Sequence, residues 1–376
     1  MKKLLKLLIA SSLLYCSSGL VLAEEVNKEM LGVYAAFKKL QPFMAKSGGF
    51  EDPANQSEIK SLLQTISQKF HTVDEVSSRY QKEPGFNATA KLVHEMLDDS
   101  SKRFNEGNKS YALWRLRGLS THCMTCHATY NVELNFRDKS SDIANLPAID
   151  RANFYFSSRQ FAEASKAYLE AIEKSPAQFD TIEALKKWLI VQTRVNANPK
   201  DAEKTLSLLL PKLKLPVYEQ EEVQSWINSL KNWSSNKEQI TGLPNAEQLI
   251  RQAVSIDPLS DKKDEVTLLR ATAHLHNLLP TLKEKEDRSR ALYLLGFCYN
   301  KLQSFFIDDL PEIYLRLSIE EFPGSKSAKA AFELYKEIVA LSFTGSAGTD
   351  IPEDVQINLI ELHKKAYNIP AFTGKI

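Results

Sequence analysis

Between Asn27 and Lys46 the apolar residues Leu31, Tyr34, Phe37, Leu40 and Met44 recur at intervals of three or four, and the same period returns three more times before residue 137. On a helix that spacing gathers the side chains on one face, and the face must be buried against another element. The second segment runs near Gln56–Tyr80 and carries Ile59, Leu62, Leu63, Ile66 and Phe70. The third spans about Ala88–Asn105, with Asn87 as its expected cap and Leu92 and Met96 inward. The fourth follows "EGNKS" and runs from about Tyr111 to Asn131. No Asn-Gly or Asp-Gly turn flanked by alternating apolar residues occurs, so strands are not expected. The fold class is all-α, and four helices of about 20 residues with short links have the proportions of an antiparallel four-helix bundle.

After a polar linker at 138–147 the texture changes. Past Met1 the methionines are Met30, Met44, Met96 and Met124, all ahead of this linker. The stretch "AIDRANFYFSSRQFAEASKAYLEAIEKSP" puts Ala152, Tyr155, Ala164, Tyr168, Ala171 and Pro176 at the spacings of a 34-residue helix pair, counted from Asn145. This resembles the tetratricopeptide repeat, in which small residues let two helices approach and aromatics fill the gap between repeats. "ALYLLGFCYNKL" keeps Leu295, Gly296 and Tyr299 at the matching offsets, while 180–213 and 216–235 are helical in pattern but fit the template poorly. Residues 148–376 are therefore expected to form a solenoid of helix pairs similar to tetratricopeptide repeats. Such a stack offers a surface for a protein or peptide, with Asn153 and Phe156 expected to face its groove.

Inside the fourth segment lies "HCMTCHATY", which contains Cys123, Cys126 and His127 in the order Cys-x-x-Cys-His. Helical positions i and i+3 share a face, and i+4 lies beside them. Two thiols can then reach the two vinyl groups of one porphyrin while the imidazole meets its iron, which is why this spacing marks covalent haem c attachment. Leu116, Leu119, Cys123, Cys126, His127 and Tyr130 form a stripe that would hold the haem against the interior. A thioredoxin-like dithiol would need a βαβ setting, and a structural zinc site would need a second Cys or His pair. His274 and His276, two apart on a helix, diverge and make a poor one. Cys298, set among packing residues, is expected to be a buried thiol.

The chain of 376 residues opens with Lys2, Lys3 and Lys6 ahead of an apolar run ending in Val21-Leu22-Ala23, the pattern of a secretory signal over 1–23. Tyr15 before Cys16 argues against lipid attachment there. Removal of the signal takes three of the 48 basic residues and none of the 47 acidic ones, so the net charge becomes about −2, which disfavours a nucleic acid partner. No later run reaches the roughly 18 apolar residues of a membrane span. A periplasmic location is expected.

The bundle of 24–137, with Cys-x-x-Cys-His near the end of its last helix and Tyr130 three residues after His127, resembles the cytochrome c-prime and cytochrome c-556 family. That resemblance implies one haem c on Cys123 and Cys126, His127 as proximal iron ligand, and either an open sixth position or a methionine from the first helix. Met30 lies where the distal residue would fall. Asn131 stands where the family has a basic residue, and Arg115 and Arg117 are further cations on the same helix. A His/Met iron suits electron transfer with a redox protein partner, and an open iron suits binding of nitric oxide or carbon monoxide. A third expectation is an envelope scaffold or assembly factor with an accessory haem. No acid–base pair suited to peroxidase chemistry is visible, so no enzymatic activity is expected.

Overall fold

The computed structural model describes residues 28–45, 48–76, 85–129, 136, 141–174, 181–236, 241–254, 263–346 and 348–369. The expected export signal, Tyr130, Asn131 and Pro176 lie outside them. Among the described residues the chain is helical, apart from a two-residue hairpin pairing Thr344–Gly345 with Gly348–Thr349. No helix is long and apolar enough to cross a membrane among the residues described.

Two compact units divide the chain between Ala167 and Tyr168, with residues 128–130 just after His127 grouped with the second. The first contains α1 (28–45), α2 (Gln56–Val76), α3 (Phe86–Asn105), α4 (Lys109–Thr129), the single turn α5 (Ser141–Ala144) and α6 (Ala148–Ser157). The apolar stripes of α1 to α4 meet in one core that includes Leu40, Ile59, Leu63, Ile66, Leu97 and Leu116. Polar pairs fix how the helices run. Lys69 on α2 pairs with Glu29 at 2.8 Å, and Ser67 donates to Asp98 on α3 at 3.1 Å. Arg117 on α4 donates to the Met44 carbonyl at 2.8 Å, and Ser110 donates to Glu51 at 2.6 Å.

The third helix begins two residues before the expected start. Gly85 caps it at φ 85°, a left-handed conformation that glycine adopts without a Cβ clash; Asn87 therefore sits inside the first turn and is not the cap. Residues 148–167, grouped above with the repeats, pack in the first unit. The reason is Phe154, which with Ile143 and Leu146 joins the core of α1 to α4. Its ring lies 5.4 Å from Tyr34 and 6.2 Å from Phe37. Phe156, expected to face a groove, is buried and edge-on to Phe161 at 5.8 Å.

α7 (Phe161–Lys174) crosses the division between the units, and the second unit continues with α8 (Thr181–Ile190) and a π-helical turn at Val191–Val195. It then runs through α9 (Pro199–Leu209), α10 (Val217–Ser235), α11 (Gly242–Ala253) and α12 (Glu265–Leu278). α13 (Lys285–Lys301), α14 (Leu310–Glu321), α15 (Lys326–Ser342) and α16 (Glu353–Ala366) complete it. Helices pack on their neighbours in sequence, as α9 on α10, α11 on α12 and α13 on α14. They also pack on the next helix but one, as α10 on α12, α11 on α13 and α13 on α15. Caps explain several starts: Asn198, Asp264 and Ser325 each accept from a backbone N–H three residues on. Where α13 meets α14, Gly296 faces the Leu315 side chain with no room for a Cβ.

Candidate functional site

Cys123, Cys126 and His127 lie in the last two turns of α4. The helix is held upstream by Ala112, Leu116 and Leu119, whose burial turns one face to the core. Cys123 packs on that core and Met124 is buried beside it. The two thiols are free and partly buried. Burial pushes both up to about 12; Cys123 raises Cys126 further, and Arg159 opposes that rise. Both are uncharged at neutral pH. A dithiol built for exchange chemistry needs the opposite shift, toward a thiolate, so the disulfide-exchange reading finds no support in this environment.

His127 reaches across to α6. Its Nδ1 lies 2.6 Å from the Ser157 carbonyl. A carbonyl can only accept, so Nδ1 carries the hydrogen and donates it, which leaves the lone pair on Nε2. Burial first, and then the Arg159 charge, push the imidazole down to about 4, against the Ser157 bond that raises it. The ring is therefore neutral, oriented and in one tautomer, the state in which imidazole ligates a metal. Two uncharged thiols one turn apart beside such an imidazole fit a covalently attached haem. Among the described residues no three His, Cys, Asp or Glu side chains come together to hold a bare metal ion.

No family model, curated protein or solved structure matches the chain.

The ten residues from Arg117 to His127 carry α4 about 15 Å beyond the level of Met44. Met30 lies near the start of α1 and is partly buried. Met44 sits at the Arg117 level, and the Met96 methyl lies against Gly118; both are roughly 14 Å back along α4 from His127. His94 is buried between Phe70, edge-on at 4.9 Å, and His71, stacked at 3.9 Å. His122 turns back to the Gly118 carbonyl of its own helix at 3.2 Å. Arg115 pairs with Asp99 at 3.4 Å, and Arg117 is engaged with Met44.

In the second unit, Cys298 is fully buried and its thiol pushed well above the usual range. His274 and His276 diverge as expected. The first lies 3.3 Å from the Gly242 carbonyl and the second 2.7 Å from the Tyr299 hydroxyl. Two residues near the motif were missed in the sequence, Ser157 and Arg159. Ser157 acts through its backbone, which no side-chain pattern reveals. Arg159 sits in the α6–α7 turn at φ 60°, and a short break between two helical patterns was the only signal for it.

Proposed function

We propose that this chain is an exported, periplasmic monohaem cytochrome of the c type that carries electrons. Haem c is held through thioethers from Cys123 and Cys126 with His127 as proximal ligand, and α1 to α4 act as a four-helix bundle similar to cytochrome c-prime. The observation that carries this reading is the bond from His127 Nδ1 to the Ser157 carbonyl at 2.6 Å, because it fixes on Nε2 the one lone pair an axial ligand needs. Bound haem would supply a one-electron iron couple beneath the protein surface. The chain's own residues supply the attachment, the ring orientation and a positive charge nearby at Arg159.

Met30, from the first helix, is the methionine proposed to complete the iron; Met44 and Met96 stand against Arg117 and Gly118, roughly 14 Å back along α4 from His127, and Met124 is on the helix of the proximal ligand. The second unit, in which helices pack on neighbours and next neighbours, is proposed as a solenoid similar to tetratricopeptide repeats that docks a redox partner. Intact mass spectrometry of the protein matured in a periplasm tests the haem directly. One haem is expected on the parent chain and none on a Cys123→Ala/Cys126→Ala variant; a parent chain without haem would sink the reading. Ferric and ferrous spectra beside a Met30→Ala variant then address the sixth ligand. A low-spin parent with a high-spin variant supports electron transfer, and a high-spin parent that binds carbon monoxide supports gas binding instead.

A further inference from the structure

α16, the last helix of the second unit, carries apolar residues on two opposite faces. Val355, Leu359, Leu362 and Ala366 turn inward: Leu362 and Ala366 are buried, and Val355 and Leu359 pack on the core that holds Leu315 and Phe332. Their intervals of four, three and four gather them on one face. Two polar contacts fix the roll of the helix on α14. Arg316 donates to Asn358 at 3.2 Å, and Lys365 pairs with Glu320 at 3.6 Å.

Glu353, Ile357, Ile360 and Lys364 repeat the same intervals two residues earlier, which on a helix of 3.6 residues per turn is the far side. All four are exposed, Ile357 by 52% and Ile360 by 54%. A helical stack stays soluble when its terminal helix shows a polar outer face, and here two isoleucines occupy the middle of that face. Among the described residues neither Glu353 nor Lys364 forms an ion pair, so both charges are free to meet a partner.

The order acid, isoleucine, isoleucine, base is its own complement when read backwards. Laid antiparallel on a second copy, with the two-fold axis beside the midpoint of Asn358 and Leu359, Ile357 meets Ile360 of the second copy. The same register sets Glu353 against Lys364 of the second copy. One register thus satisfies the apolar pair and the charged pair together, and does so twice, as an isologous contact requires. In a parallel arrangement like charges would meet.

We propose that this face of α16 is a dimerisation surface occupied by α16 of a second copy in antiparallel contact, with Ile357 and Ile360 at its centre and a Glu353–Lys364 pair at each end. One helix from each chain makes a small interface, so the dimer is weak. It belongs to the second unit and does not depend on haem.

Analytical ultracentrifugation of the full-length protein over a concentration series tests it. The parent is expected to pass from monomer to dimer as concentration rises, and to dissociate more readily at high salt because the end pairs are exposed. Glu353→Lys and Lys364→Glu each set like charges together at both ends and should weaken the dimer at least about tenfold. An equal mixture of the two variants should restore it, since every end of the mixed pair again joins opposite charges. Recovery on mixing also shows that both variants are folded, and the salt series needs no variant at all. A parent still monomeric at about 1 mM, the weak edge of the affinity range, would overturn the proposal and leave the stripe to a partner of another kind. A dimer that neither variant weakens, a mixture that stays monomeric, or growth beyond the dimer, the mark of a head-to-tail contact, would overturn it as well.

Discussion

Replacing Phe154 with alanine tests whether α6 belongs to the same folding unit as the Cys-x-x-Cys-His helix. Phe154 is 1% exposed, and its ring meets Tyr34 and Phe37 of α1. Buried Phe→Ala changes cost about 3–5 kcal/mol, the lost transfer energy plus the cavity left behind. Local hydrogen bonding does not offset this, because Ser157 and Ser158 bond the Phe154 backbone carbonyl at 2.9 and 2.8 Å, and alanine keeps that carbonyl. At a urea slope of about 2 kcal/mol per molar, the midpoint of the first unit should fall by roughly 2 M. Hydrogen exchange read by mass spectrometry along a urea series reports each unit separately. Amides of 56–76 and 86–105 should lose protection at lower urea in the variant, while those of 285–342 keep theirs. The variant should also loosen the Ser157 carbonyl from His127, which in the haem-loaded protein would show as a change in the axial-ligand bands. A loss below about 1 kcal/mol in the first unit would mean that Phe154 is no part of its core.

Three further outcomes follow from named contacts. Gly296→Ala sets a helix-propensity gain of about 1 kcal/mol against overpacking of about 1–3 kcal/mol. An added Cβ would stand 2.7 Å from Leu315 Cγ and 3.1 Å from the Pro311 carbonyl, so thermal unfolding should show net destabilisation, and a rise in midpoint would refute the close approach. His276 is held well below its ordinary value, by burial first and then by Arg194. The unfolded chain then takes up a proton near pH 6.5 that the folded one refuses, so this contribution is complete above pH 6.5 and is lost below it, by up to about 1.4 kcal/mol per pH unit. Glu222 and Glu265 are raised by burial and run the other way; the slope is therefore read as the difference between the parent and His276→Gln, and identical slopes would refute it. Arg159→Gln should lower the reduction potential of the loaded protein, since a nearby cation favours the less positive iron; protein-film voltammetry showing no downward shift would count against Arg159 acting on the site.

What was legible in the sequence depended on whether the cause was local. The four amphipathic patterns predicted helices at 27–46, 56–80, 88–105 and 111–131, and helices are found at 28–45, Gln56–Val76, Phe86–Asn105 and Lys109–Thr129. Burial periodicity repeats every turn, so it survives errors at the ends. The ends themselves turned on single residues, as when Gly85 rather than Asn87 supplied the cap. The polar linker at 138–147 read as a border because composition is also local. Which side α6 packs on is decided by one distant contact set, Phe154 among Tyr34, Phe37 and the α1–α4 core, and no spacing rule encodes it. The same limit explains the site. Cys123, Cys126 and His127 are set by a fixed spacing on one helix and could be named at once. The carbonyl that orients His127 lies 30 residues on, supplied by backbone, so any residue type at position 157 would have served and the sequence carried no mark of it. The environment that keeps both thiols protonated arises in the same way, from helices meeting. A motif therefore states which atoms are available for chemistry, while the distant segment that folds onto it states their protonation, tautomer and charge.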